Sequence, residues 1–168
     1  MNMRKAISAA LAASVIAAYS GFAAGEHRIG AGANYWVTLD DLDVDDIDDS
    51  GFSYLVTYQY RDGLWGLELN AEFLPDRFGE NAWAPEAYLI FGDSIYAAAG
   101  IGIVHTDGDF ESSPFYALRA GFDLEIFSGL HLDISANYRF NDTADLSDSD
   151  TRIDTDTVFL GAALRLAL

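Results

Sequence analysis

Residues 130–140 read Leu-His-Leu-Asp-Ile-Ser-Ala-Asn-Tyr-Arg-Phe, with apolar and polar residues alternating throughout. Successive side chains of a strand point to opposite faces. Leu130, Leu132, Ile134, Ala136, Tyr138 and Phe140 therefore share one face, and His131, Asp133, Ser135, Asn137 and Arg139 share the other. One face suits hydrocarbon and the other suits water, the mark of a strand in the wall of a transmembrane β-barrel.

The same alternation predicts seven more strands, at about Arg28–Leu39, Phe52–Arg61, Leu64–Leu74, Trp83–Phe91, Ile95–His105, Phe115–Phe127 and Thr157–Leu168. The apolar face of the second strand carries Phe52, Tyr54, Val56, Tyr58 and Tyr60. The fourth strand shows the pattern least, since Glu86 alone fixes its polar face and Pro85 stands near its start. Strands of ~9 to 11 residues cross a bilayer on a tilt. Arg61-Asp62-Gly63, Gly92-Asp93-Ser94 and Ser128-Gly129 read as tight hairpin turns. The remaining connections, about Asp40–Ser50, Pro75–Ala82, Thr106–Pro114 and Asn141–Asp156, are longer and mostly acidic. Short turns on one side and long loops on the other are expected of an outer-membrane barrel with its short turns in the periplasm.

A soluble eight-stranded barrel also alternates, with its apolar face inside around a ligand. Glycine separates the two cases. Gly30, Gly32, Gly66, Gly100, Gly102, Gly121 and Gly161 all fall on the polar or small face, as a narrow concave interior requires, while the apolar face holds bulky Tyr, Trp, Phe and Leu. The apolar face is therefore outside, in lipid. Tyr35, Phe52, Tyr54, Phe73, Tyr116, Tyr138 and Phe140 fall near the long-loop ends and Tyr60 and Trp65 near a tight turn, which suits the aromatic belts of a membrane barrel.

Composition bounds the remaining possibilities. Arg4 and Lys5 precede an alanine-rich apolar run from Ala6 to Ala18, and Gly21-Phe22-Ala23 offers small residues to a signal peptidase, so residues 1–23 read as a secretory signal peptide. That run is shorter than the ~20 residues of a membrane-spanning helix. Residues 24–168 then form one barrel domain. The formal net charge of −18 becomes −20 once Arg4 and Lys5 are removed, and no lysine remains. Such a chain has little with which to neutralise phosphates, which excludes nucleic acid as a partner. It has no cysteine, so stability must come from the backbone ladder and packing.

The chain resembles the small eight-stranded bacterial outer-membrane proteins, the group that includes the OmpA transmembrane domain and OmpX. The resemblance is one of architecture over residues 24–168, and it implies an all-β, antiparallel, up-and-down transmembrane barrel in the bacterial outer membrane. It further implies outer-membrane lipid, lipopolysaccharide and the barrel-assembly machinery as partners. Gly161, Leu164 and Leu166 match the glycine and spaced hydrophobics of the C-terminal assembly signal, and Leu168 departs from the aromatic residue usual at its end.

The inward face gathers Arg28, Glu68, Glu72, Glu86, Arg119, Asp123, Glu125, His131, Asp133, Arg139 and Arg165, six carboxylates against four arginines and a histidine. Confined charges are costly unless paired, so these residues are expected to form an ion-pair network that plugs the lumen. A charged lining for a narrow water or ion path is the alternative. Proton relay or catalysis is a more distant one. Arg119, Arg139, Glu72 and Glu86 are expected in the outer half of the lumen, and Asp123, Glu125, His131, Asp133, Arg165 and Arg28 in the periplasmic half.

The excess acid lies in the long loops: seven aspartates between Asp40 and Asp49, six between Asp142 and Asp156, and Asp107, Asp109 and Glu111 between them. Clustered carboxylates suit Ca²⁺ or Mg²⁺, and Asp45, Asp46, Asp48 and Asp49 are the candidate residues for diffuse binding, against a plain solvated acidic surface. No other cofactor is expected. The spacing of Asp46, Asp48, Ser50 and Gly51 imitates the start of an EF-hand loop, but Thr57 stands where its bidentate Glu would be. A lipid hydrolase would need Ser, His and an acid to converge at the outer rim. His105, Asp107, Ser112 and Ser113 come nearest there, His131 and Ser135 point inward, His27 lies near the mature N-terminus, and no motif joins them, so the expected role is non-catalytic.

Overall fold

The computed structural model describes residues 25–39, 50–77, 80–106, 109–110, 114–145 and 152–168. The expected leader, residues 1–23, lies outside these, as do residues 40–49 of the first long loop. Eight long strands follow in order: β1 Glu26–Thr38, β2 Ser50–Asp62, β3 Trp65–Arg77, β4 Glu80–Gly92, β5 Ile95–Gly102, β6 Phe115–Phe127, β7 Leu130–Asp145 and β8 Arg152–Ala167. Each pairs antiparallel with its sequence neighbours, and β1 pairs with β8 from Arg28 opposite Ala167 to Thr38 opposite Thr157. The sheet is thereby closed into the expected up-and-down barrel, and closure leaves no strand edge to face hydrocarbon unpaired.

Glycines at positive φ make the tight turns: Gly63 at 58°, Gly92 at 124° and Gly129 at 76°. At the opposite end the strands outrun the sequence pattern. β3 and β4 stay paired as far as Arg77 and Glu80, and β7 and β8 as far as Asp145 and Arg152, so much of two expected long loops is strand. Beyond Leu74 and Phe140 the apolar–polar alternation of the sequence fades while the backbone ladder continues.

The fifth strand, expected to run unbroken from Ile95 to His105, ends at Gly102 and resumes as the short segment His105–Thr106, which pairs with β4 and with Asp109–Phe110. Pro85 of β4 causes the break. It faces Ile103, accepts from Ile103 N at 3.3 Å, and has no N–H to return.

Among the described residues the middle of every strand presents an apolar outward face, with Phe52, Val56, Leu89, Leu118, Leu160 and Leu164 among its exposed side chains, and charge returns only at the ends, at Asp62 and at Asp156, which accepts from the Tyr138 hydroxyl. Tyr35–Phe52 and Tyr116–Phe140 ring pairs, 5.2 and 5.9 Å apart, lie toward the long-loop end, and Trp65–Phe91, 4.9 Å apart, lies at the tight-turn end. Tyr60 keeps its expected outward face on β2 but is covered there by its β1 partner His27. It is buried, with its ring 5.2 Å from that of His27.

The lumen is filled by a recurring pairing of large against small. Trp36, Tyr88, Tyr96 and Phe115 point inward opposite Gly51, Gly100, Gly121 and Gly102 on neighbouring strands. A Cβ built on Gly100 would meet the Tyr88 ring at 2.3 Å, and one on Gly102 the Phe115 ring at 2.3 Å. The inward glycines are thus the floor on which aromatic rings lie, and this packing narrows the lumen.

Candidate functional site

The inward positions of seven strands carry arginines and carboxylates at matched heights. Toward the long-loop end, the Arg139 guanidinium of β7 pairs with both Glu72 of β3 and Glu86 of β4. Glu72 Oε1 also accepts from Asn34 Nδ2 and Ser53 Oγ, each at 2.5 Å. Arg139 lies between two rings, with its guanidinium carbon 3.8 Å from the Phe159 centroid and 4.7 Å from that of Phe115. Those rings, with Trp36, Leu74 and Val104, form a buried apolar layer on the long-loop side of the charges. It raises the cost of separating any pair beneath it.

Mid-barrel, Glu68 of β3 receives two guanidinium groups. Arg119 Nη1 of β6 lies 2.6 Å from Oε1, and Arg165 Nη2 of β8 lies 2.9 Å from Oε2. Gln59 Nε2 donates to Oε2 as well, at 2.8 Å. Arg165 Nη1 reaches Asp133 Oδ2 of β7 at 3.0 Å, and the Tyr96 hydroxyl donates to the same oxygen at 2.7 Å. The Arg119 guanidinium sits 3.9 Å above the Tyr88 ring and 4.0 Å from Glu86 Oε2, which links this cluster to the one above.

Near the tight turns, Arg28 Nη1 of β1 meets Asp123 Oδ2 of β6 at 2.5 Å, and His131 Nδ1 of β7 meets Asp123 Oδ1 at 2.9 Å. Glu26, half in water, pairs with Arg28 and stands 3.8 Å from His131 Nε2.

Ten of the eleven inward candidates are brought into one chain of contacts, the group near the turns joining the rest through Gln59, whose Oε1 accepts from Arg28 Nη1 at 3.3 Å: Arg28, Glu68, Glu72, Glu86, Arg119, Asp123, His131, Asp133, Arg139 and Arg165. Glu125 stands apart from it. It is exposed, and its Oε1 accepts from Gly129 N at 2.9 Å across the turn. The pairing of β6 with β7 shifts register between Glu125 and Phe127, at the rim where inside and outside cease to differ. Arg61 is the lumen residue that sequence reasoning missed by assigning it to a turn. It is buried, and its Nη2 donates to Gly92 O at 2.7 Å and Asp93 O at 3.2 Å. Counting inward from Ser53, Thr57 and Gln59 would have found it. With Arg61 added and Glu125 removed, five buried or part-buried arginines (28, 61, 119, 139, 165) face five buried carboxylates (68, 72, 86, 123, 133) among the described residues.

The other candidates are placed as follows. Gly161 faces inward against the Asn34 side chain, Leu164 and Leu166 are exposed on the outward face, and Leu168 is exposed with its N donating to His27 O at 2.8 Å. Asp45, Asp46, Asp48 and Asp49, along with Asp107, Ser112 and Ser113, lie outside the described residues. His131 is committed to Asp123, and His105 lies beside Trp83, ring centroids 5.4 Å apart, away from the lumen charges. No group of three or more His, Asp or Glu side chains among the described residues is arranged to hold a metal ion.

No protein-family model and no curated protein sequence matches the chain. Among solved structures, Neisserial surface protein A is similar, with a TM-score of 0.62 at 17% identity over 83% of this chain and 96% of its own. The outer membrane protein AlkL, solved in lipid bilayers, gives a TM-score of 0.53 at 14% identity over 86% of this chain and 90% of its own. At such identities the likeness is one of backbone. The chain has the closed, eight-stranded, all-antiparallel barrel fold of the small outer-membrane proteins.

Proposed function

We propose that the protein is a non-catalytic integral barrel of the bacterial outer membrane, its lumen closed by ion pairs and its acidic loops facing outward, with a structural or surface-interaction role. The observation that carries this reading is the matched charge of the lumen, five arginines against five carboxylates, roofed by Trp36, Phe115 and Phe159. A path for ions needs charges that water can reach. Here Glu68, Glu72, Arg139 and Arg165 are each about 1% exposed or less. The apolar belt around the middle of the exterior supports the membrane setting. The aspartate-rich loops supply the surface that meets other molecules, divalent cations and lipopolysaccharide phosphates bridged by them included.

Single-channel recording of the refolded protein in a planar bilayer tests the closed lumen. A barrel that stays silent across the usual range of potentials is the expected result. Steady cation-selective conductance that Glu72→Gln and Glu86→Gln reduce would replace this reading with that of a narrow channel. The membrane setting has its own check: the protein should require detergent and migrate differently on a gel before and after heating, whereas a monodisperse detergent-free barrel would overturn it.

A further inference from the structure

Between the Arg139 cluster and the Glu68 cluster the lumen keeps one small cavity of about 10 Å³, bordered by Asn70, Glu86, Arg119, Ser135, Asn137 and Arg165. This is about the space that a single water needs. Five buried polar atoms on its lining residues have no hydrogen-bond partner in the protein, and since Arg165 Nη1 is ion-paired with Asp133 Oδ2 at 3.0 Å, four are left without either kind of partner: Asn70 Oδ1, Asn137 Oδ1, Arg119 Nε and Arg165 Nε. All four residues are more than nine-tenths buried. The remaining polar atoms of the two amides are already engaged, Asn70 Nδ2 with Glu86 Oε2 at 3.3 Å and Asn137 Nδ2 with the Tyr88 hydroxyl at 2.8 Å. The guanidinium termini are held by Glu68. Two acceptors and two donors are thus left to the cavity, and buried polar groups are rarely left dry.

We propose that this cavity is a site for one ordered water, which accepts from Nε of Arg119 and Arg165 and donates to Oδ1 of Asn70 and Asn137. The inference rests on the reading of the lumen as closed, and it gives that closure a solvent component. The chemistry of the lining selects the occupant. A cation would face two guanidinium groups, an anion would face Glu72, Glu86 and Asp133, which also line the cavity, and water alone matches two donors with two acceptors. The water joins the upper and middle charge clusters without making a continuous column.

Water-to-protein NOE and ROE spectra of the refolded, isotope-labelled protein in micelles test this at the non-exchanging methyl of Ala163, which also lines the cavity. The expected result is a cross-peak of opposite sign in the two spectra, the mark of a held water, and its loss in Asn137→Leu, which fills the space and removes an acceptor. If that variant does not fold, the unmutated protein decides alone. No cross-peak at Ala163 overturns the site. Bulk-like signs at Ala163 and also at Ala117 overturn it in favour of a water column. A conducting barrel that keeps the held-water signature retains the site and sinks the closed lumen, whereas a silent barrel without the signature sinks the site alone.

Discussion

Arg165 Nη2 donates to Glu68 Oε2 at 2.9 Å across the lumen, joining β8 to β3, two strands that share no backbone hydrogen bond. The pair is a strut across the barrel, and the same guanidinium reaches Asp133 of β7 at 3.0 Å. Arg165→Ala would leave one carboxylate short of a partner and weaken the hold on the other, so it is expected to cost ~3 to 5 kcal/mol, the range for a broken buried pair. Urea unfolding in detergent measures it. Glu125→Ala is the contrast: its carboxylate lies in water and accepts from Gly129 N across a turn, so the expected loss is within about 1 kcal/mol.

Arg139 separates Glu72 from Glu86. Arg139→Ala puts two carboxylates in one confined space with the Arg119 guanidinium, 4.0 Å from Glu86, as the nearest remaining cation. The variant should lose ~3 to 5 kcal/mol and admit water and cations to relieve the repulsion. Planar-bilayer recording should then show a cation-selective leak absent from the unmutated protein, and a silent variant would mean that the apolar roof alone seals the lumen.

The packing of rings on glycines predicts a size limit. Tyr88 cannot swing away from Gly100, because its hydroxyl accepts from Asn137 and Arg119 covers its face. Gly100→Val should therefore destabilise by ~1 to 3 kcal/mol through overpacking, and Gly100→Val with Tyr88→Ala should recover part of the loss. Urea midpoints of the single and double variants report the coupling.

Outward positions should obey lipid and not lumen chemistry. Leu160, 57% exposed, lies mid-strand opposite Tyr35 of β1 and Ala136 of β7. Leu160→Arg should cost ~2 to 4 kcal/mol near the bilayer midplane, read from unfolding in lipid vesicles. An unchanged midpoint would mean that this face is not in hydrocarbon.

The sequence carries the fold wherever two solvents meet across a strand. β6 begins and ends at Phe115 and Phe127, as alternation predicts, and Arg119 and Arg139 point inward as it requires. It is silent where that contrast is absent: at Glu125 on the wet rim, and along β7 and β8 beyond Phe140 and Thr157. Tyr88 and Ile90 turn inward on the strand where Glu86 was the only polar marker, because a ring opposite a glycine satisfies the lumen as well as a charge does. The partners of each arginine were beyond reach, since strands far apart in the closed ring meet only once curvature and register are fixed.

Among the side chains described on β8, Arg165 is the only charged one that points inward. A chain synthesised as far as β7 therefore holds five lumen carboxylates against four arginines (28, 61, 119 and 139), an uncompensated negative charge on a surface that is still wet. The last strand to be made both zips the sheet shut and brings the missing positive charge. Timing is thus written into the electrostatics: an unfinished barrel is penalised for leaving water, and a finished one is not.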